Sequence, residues 1–109
     1  MTRGTTPTHK LNVNVDLTEA RVYVTYKQRG SVIVERNNEE ETNTLTIDSE
    51  SVVLTLTQEE TLKFYTNEKV DIQIRAVFAT GEALASTIVS TYTDRILKDG
   101  EIVYSNDNP

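Results

Sequence analysis

Apolar residues recur at every second position along much of the chain. Leu11, Val13, Val15 and Leu17 alternate with Asn12, Asn14 and Asp16, the period of a strand with one buried face. After a turn at Asp16-Leu17-Thr18-Glu19, Val22, Val24 and Tyr26 alternate with Arg21, Tyr23, Thr25 and Lys27 until Gln28-Arg29-Gly30 breaks the run. Gly30 suits the left-handed position of a bulged hairpin. A register with Lys27 facing Ser31 sets Tyr26 against Val32 and Val24 against Val34, so that both strands bury one face. The stretch from Asn37 to Asn43 has no apolar residue and reads as a solvated loop or a charged strand edge. Leu45 and Ile47 open a short strand, Asp48-Ser49-Glu50-Ser51 turns, and Val52, Leu54 and Leu56 alternate with Val53, Thr55 and Thr57. Thr57-Gln58-Glu59-Glu60 has the spacing of a capping box, which predicts a short helix near 58–64 with Leu62 and Phe64 as inward anchors.

The longest alternation follows. Val70, Ile72, Ile74, Ala76 and Phe78 share one face, and Asp71, Gln73, Arg75 and Val77 the other. A three-residue loop at Thr80-Gly81 is expected to return the chain with Phe78 opposite Leu84 and Ile74 opposite Ile88, a register rich in apolar pairs. Ala83 to Thr93 reads as the single returning strand. Arg95 to Tyr104 carries Asp99-Gly100 at its centre, which predicts a type I′ hairpin with Lys98 facing Glu101, Leu97 facing Ile102 and Ile96 facing Val103. Both faces of that hairpin are apolar, so it wants cover on two sides. These elements together predict an all-β fold, an antiparallel sandwich of about seven to nine strands with one short helix. Residues 1–8 are expected as a flexible arm, 9–104 as one domain, and 105–109 as a disordered tail.

Composition narrows the chemistry. A chain of 109 residues can bury a core without staples, and with no cysteine it has neither a disulfide framework nor a thiol nucleophile. A net charge of −6 argues against a nucleic-acid partner, because affinity for phosphates rests on clustered Lys and Arg. No apolar run approaches the length of a membrane span, and the first eight residues contain no apolar signal core, so neither a membrane partner nor export is expected. The lone His9 has no Ser or Cys motif beside it and reads as a polar residue at a strand start. Glu39-Glu40-Glu41 lacks the spacing and fixed glycine of a calcium loop and reads as a solvated negative loop. Asp48, Glu50 and Asp99 are explained by turns. Asp94, paired with Asp99 across the last hairpin, therefore has no second free carboxylate. Thr87, Ser90, Thr91 and Thr93 are ordinary strand composition. The four glycines, at 4, 30, 81 and 100, are too dispersed to cradle a phosphate. The expectation is therefore a protein that is not an enzyme, with no catalytic residue, no metal and no cofactor.

Binding is the better use of what remains. Tyr23, Tyr65, Tyr92 and Tyr104 cannot all enter so small a core, and tyrosine is enriched at interfaces. The apolar C-terminal hairpin and the N-terminal arm are the segments expected to make subunit contacts, with assembly into a dimer or trimer through the hairpin and through Tyr92, Ile96, Leu97, Ile102, Val103 and Tyr104. Arg3-Gly4-Thr5-Thr6-Pro7-Thr8-His9, Val24-Thr25-Tyr26-Lys27-Gln28, Leu56-Thr57-Gln58-Glu59-Glu60-Thr61 and Ala83-Leu84-Ala85-Ser86 resemble small prophage-encoded proteins of Gram-positive bacteria. More remotely, the layout resembles the immunoglobulin-like N-terminal domain of phage baseplate upper proteins. That resemblance implies an immunoglobulin-like β-sandwich associated with a phage tail or baseplate, with other phage structural proteins as partners. It further implies residence in the cytoplasm of the producing bacterium and incorporation into a virion. Baseplate upper proteins continue into further domains, whereas this sequence stops at Pro109. The alternative expectation is a host-side immunoglobulin-like module that binds a carbohydrate or a peptide.

Overall fold

The computed structural model describes residues 1–39, 44–86, 88–102 and 104. The fold is an all-β sandwich, with eight strands and one short helix among the described residues. β1 (Thr8–Asn12), β4 (Thr46–Asp48) and β5 (Ser51–Thr55) form an antiparallel three-stranded sheet in the order β1-β5-β4. The second sheet runs β3 (Ser31–Asn37), β2 (Arg21–Gln28), β6 (Lys69–Val77), with β7 (Ala83–Ala85) and β8 (Val89–Tyr92) in succession along the free side of β6. Both sheets contribute to one core: Val22, Val24, Tyr26, Val70, Ile72, Ile74 and Ala76 meet Val52 and Leu54, with Leu17, Leu56 and Phe64 closing the ends. The period-two reading of β2, β5 and β6 is thereby realised as alternating burial. Helix α1 (Gln58–Leu62) starts from the expected capping box, with the Thr57 hydroxyl accepting from the Glu60 amide and the Glu60 carboxylate accepting from the Thr57 amide. Phe64 is buried and Leu62 partly so.

Several expected registers are corrected. In the β2–β3 hairpin Gln28 faces Ser31, Lys27 faces Val32 and Tyr26 faces Val34. Arg29 and Gly30 both take positive φ, which makes a two-residue turn of the I′ kind, and a bulge between Tyr26 and Lys27 then absorbs one residue of β3. Val32 consequently points away from the core. β1 begins at Thr8 and ends at Asn12, earlier than the alternation suggested. Beyond it the Val13 amide donates to Glu50 and the Leu17 amide to Ser49, which carries Leu17 into the core. The loop after β6 does have three residues, but the Phe78 amide donates to the Glu82 carbonyl, so Leu84 opposes Ala76, not Phe78.

The returning strand is also broken. The Ser86 hydroxyl accepts from the Ile74 amide where a main-chain carbonyl would otherwise sit, and pairing resumes one residue out of step with Val89 opposite Ile72. The larger correction concerns residues 95–104, which form no strand among the described residues. Asp99 does not adopt the positive φ that a type I′ turn demands; it lies 3.6 Å from Arg3 instead. The first residues, expected as an arm, are hydrogen-bonded beside the end of β8. The Met1 nitrogen donates to the Tyr92 carbonyl, Asp94 to the Met1 carbonyl and Arg3 to the Asp94 carbonyl. Residues 40–43 of the acidic stretch and the tail 105–109 lie outside the described residues. Asn38 is a structural residue: its side chain accepts from the Val22 amide and donates to the Ala20 carbonyl.

Candidate interaction surface

Four of the six expected contact residues, Tyr92, Leu97, Ile102 and Tyr104, are exposed, and the described ones are not gathered into a hairpin. Tyr92 projects from β8 into solvent. Ile96 is half-buried and lies where a side chain on Gly4 would stand, its Cδ1 at 3.0 Å from that position. Leu97 is 96% exposed and Tyr104 87% exposed, and Ile102 is also exposed. Val103 lies outside the described residues. Gln58 holds the peptide of Ile102 at two points, donating from Nε2 to its carbonyl at 2.8 Å and accepting its amide on Oε1 at 2.9 Å. A side-chain amide thus takes the place that the partner strand of the hairpin would have filled. The segment from Asp94 onward is fastened by Met1, Arg3 and Gln58, while Leu97, Ile102 and Tyr104 face outward.

Polar side chains missed from the sequence sit behind this surface. Gln28, 2% exposed, reads the main chain of Tyr65 in both directions, Nε2 to carbonyl at 3.1 Å and amide to Oε1 at 2.6 Å. The buried Thr93 hydroxyl also donates to the Tyr65 carbonyl. These groups close the end of the second sheet without leaving a buried amide unpaired. Above them the Arg29 guanidinium lies 3.8 Å from the centroid of the Tyr65 ring and forms a two-point pair with Glu68. The alternation pattern marks Gln28 only as a strand end, because its partners are 37 and 65 residues away.

The remaining titratable cluster is structural. His9 Nδ1 and the Tyr26 hydroxyl share a hydrogen bond of 2.6 Å, with the rings stacked at 5.7 Å. Burial lowers the His9 pKa and raises that of Tyr26, so both are neutral at pH 7. Arg36 and Glu60 stand nearby as an ion pair linking β3 to α1. Among the described residues no three His, Cys, Asp or Glu side chains converge as metal ligands. Glu39 accepts from the Tyr23 hydroxyl. Asp94 and Asp99 serve the fastening of the C-terminal segment rather than each other.

Two concavities lie against the larger sheet. On the outer face of the second sheet, Thr25, Lys27, Val32, Glu35, Asp71, Gln73, Arg75 and Ile88 line a trough of about 400 Å³ with cations and anions interleaved. On the inner side, Leu11, Ile72, Ile74 and Val89 line a groove of about 270 Å³ between β1 and β8, with Lys10, Asn12 and Ser86 at its rim. Among the described residues no helix is long and apolar enough to cross a membrane. Comparison with known proteins returns no match to this chain among family models, curated proteins or solved structures.

Proposed function

We propose that the chain is a non-enzymatic structural or adaptor protein of a phage-like particle, associated with its tail or baseplate and acting through protein–protein assembly. One observation carries this reading: Leu97, Ile102 and Tyr104 stand in solvent on a fastened segment, while the core is complete without them. Exposed apolar side chains clustered on one segment are what a partner surface requires and what a solitary domain avoids. The resemblance to small prophage-encoded proteins supplies the particle, and with it the cytoplasm of the producing bacterium and the virion as locations. The test is purification of the tagged protein from lysates of that bacterium after prophage induction, with mass spectrometry of what accompanies it. Tail or baseplate proteins should be recovered with the native chain and lost with Leu97→Asp combined with Tyr104→Ser. Recovery of no particle protein with the native chain would overturn the reading.

A second reading, an immunoglobulin-like module of the host that binds a carbohydrate or a peptide, draws on the mixed-charge trough over β2, β3 and β6. Its lining favours a peptide over a sugar, because Lys27, Glu35, Asp71 and Arg75 offer charges of both signs and none of the lining residues is aromatic. Binding of a peptide library abolished by Arg75→Ala would favour this reading over the first.

A further inference from the structure

We propose that Asp99-Gly100 is a self-modifying site, at which the folded chain converts aspartate to isoaspartate through a cyclic imide without help from any enzyme. The reaction needs a carboxyl group free to turn. It also needs a following amide nitrogen that is neither hydrogen-bonded nor shielded by a side chain.

Asp99 meets both conditions. It is the only Asp or Asn of the sequence that precedes a glycine. It stands outside every strand and helix, in a run from Leu97 to Ile102 that is exposed at each residue. Its side chain is 80% exposed, and its ion-pair partner Arg3 lies at 3.6 Å. Among the described residues no group pairs with the Gly100 amide. Gly100 has a φ of 89°, and nothing lies within 4 Å of the place where a Cβ on it would stand. The nitrogen is thus open, and a glycine backbone on an exposed segment turns freely enough to bring it against the carboxyl. Other acids and amides are held by the fold. Asp16 accepts from the Thr18 amide and hydroxyl, and the Leu17 amide that follows it donates to Ser49. Asp48 lies in β4 opposite Ser51, and Asp71 in β6 opposite Lys27 and Ser90, its carboxylate accepting from the Ser90 hydroxyl. After Asn12 and Asn37, the amides of Val13 and Asn38 donate to Glu50 and Val22.

In the first step the Gly100 nitrogen forms a bond to Asp99 Cγ, and a carboxyl oxygen leaves as water, carrying the amide proton and one proton from solvent. Water then adds to the imide. Where it breaks the bond from nitrogen to Cγ, aspartate returns. Where it breaks the bond from nitrogen to the main-chain carbonyl carbon of Asp99, the chain continues through Cγ and isoaspartate results. Nothing is oxidised or reduced, and the net mass is unchanged. The product has one more main-chain atom at residue 99, which faces Arg3, ahead of Ile102, which Gln58 holds. The added atom therefore falls between two fastenings and alters the spacing of the exposed Leu97 and Ile102. Its bearing on binding rests on the proposed function; the reaction itself does not.

The test follows the full native chain, kept folded in warm neutral buffer. Isoaspartate should accumulate at residue 99, read as methyl transfer from labelled S-adenosylmethionine by an isoaspartyl methyltransferase and located by electron-transfer fragmentation of peptides. A species lighter by one water should precede it. The rate should lie within about 10-fold of that in a synthetic peptide of residues 94–104, because the fold leaves the site nearly as free as an unfolded segment does. Asp99→Glu, whose extra methylene disfavours ring closure, should abolish the signal at this residue. Gly100→Val, which shields the nitrogen, should slow it about 10-fold or more. Circular dichroism confirms that each variant is folded, and if one is not, the other decides. A folded chain that converts more than about 10-fold slower than the peptide would overturn the inference. Isoaspartate appearing first at another described residue, or a rate at residue 99 unchanged by Gly100→Val, would overturn it as well. None of these results touches the recovery of particle proteins, so this inference and the proposed function fail separately.

Discussion

Arg36 and Glu60 meet side by side, with Nε donating to Oε2 at 2.7 Å and Nη2 to Oε1. The same guanidinium donates to the carbonyls of Thr44 and Thr55, and the same carboxylate accepts from the Thr57 amide. One side chain on β3 thereby fastens the end of β5, the strand connection before β4 and the cap of α1. Both side chains are largely buried, at 12% and 18% exposure, so removal of either leaves an opposite charge poorly solvated. Glu60→Ala is expected to cost about 2 kcal/mol in urea unfolding, from the loss of a partly buried pair and of half a capping box. Arg36→Lys should recover little of the loss caused by Arg36→Ala, because an ammonium cannot span acceptors on three elements.

The Glu60 carboxyl gives this pair a pH signature. Burial alone would raise its pKa, but the bonds from Arg36 and Thr57 outweigh that and hold it below 4.5. The unfolded chain then takes up a proton first as pH falls, so the contribution of Glu60 is complete above pH 4.5 and is lost as pH drops through the folded value. In Glu60→Gln the acid limb of the stability curve should be shallower than in the native chain. Equal slopes for the two proteins between pH 5 and the acid transition would contradict this account.

His9 acts at higher pH and through a different cause. Burial lowers its pKa below 6.5, so the folded state resists protonation that the unfolded state accepts. Stability is full above pH 6.5 and declines as pH falls towards the folded value. As the single histidine, its ring protons give an unambiguous NMR titration, expected with a midpoint under 6.5. His9→Gln should remove the decline on this part of the curve while leaving the acid limb due to Glu60. A midpoint above the ordinary histidine value would show that the ring is not desolvated by Tyr26 and the core beneath it.

How much of this was legible in the sequence depends on the distance over which each cause acts. The period of two in β2, β5 and β6 and the capping box at Thr57 are local, and both appear where the residues place them. The β2–β3 register was not legible, because an arginine with φ of 53° is disfavoured locally and is supported by Tyr65 and Glu68 far along the chain. The break in the returning strand depends on one hydroxyl, that of Ser86, replacing a carbonyl at Ile74. The strong Asp99-Gly100 signal failed for a complementary reason. A two-stranded hairpin is marginal by itself, and here Gln58 holds Ile102 while Arg3 faces Asp99, so its local preference is outcompeted. The candidate surface was partly legible: Tyr92, Leu97, Ile102 and Tyr104 are exposed while Ile96 is half-buried, and their arrangement follows from contacts with Met1, Arg3 and Gln58.

Gln28 gives a test of the buried polar closure. Its side chain satisfies both main-chain groups of Tyr65 in a site sealed from water. Gln28→Leu is close in volume but leaves the Tyr65 amide without its acceptor, at an expected cost of about 2–3 kcal/mol. Gln28→Glu should be at least as damaging at neutral pH, because a carboxylate cannot donate to the Tyr65 carbonyl and is desolvated. Denaturant unfolding at fixed pH ranks the two, and a change under about 0.5 kcal/mol for Gln28→Leu would mean that Tyr65 finds another partner at little cost.

The hold of Gln58 on Ile102 predicts a local effect rather than a global one. Both bonds are exposed, and α1 keeps its cap and its buried Thr61 when the Gln58 side chain is removed. Gln58→Ala should therefore shift overall unfolding by less than about 1 kcal/mol, the net worth of exposed hydrogen bonds. At the same time the Ile102 amide should lose its protection, which amide exchange followed residue by residue would read directly. Gln58→Glu distinguishes the two bonds. Its carboxylate can still accept the Ile102 amide but cannot donate to the carbonyl, so protection at Ile102 should fall between the native chain and the alanine variant. Exchange at Ile102 as slow in Gln58→Ala as in the native chain would show that Arg3 and Met1 alone hold the segment against the helix.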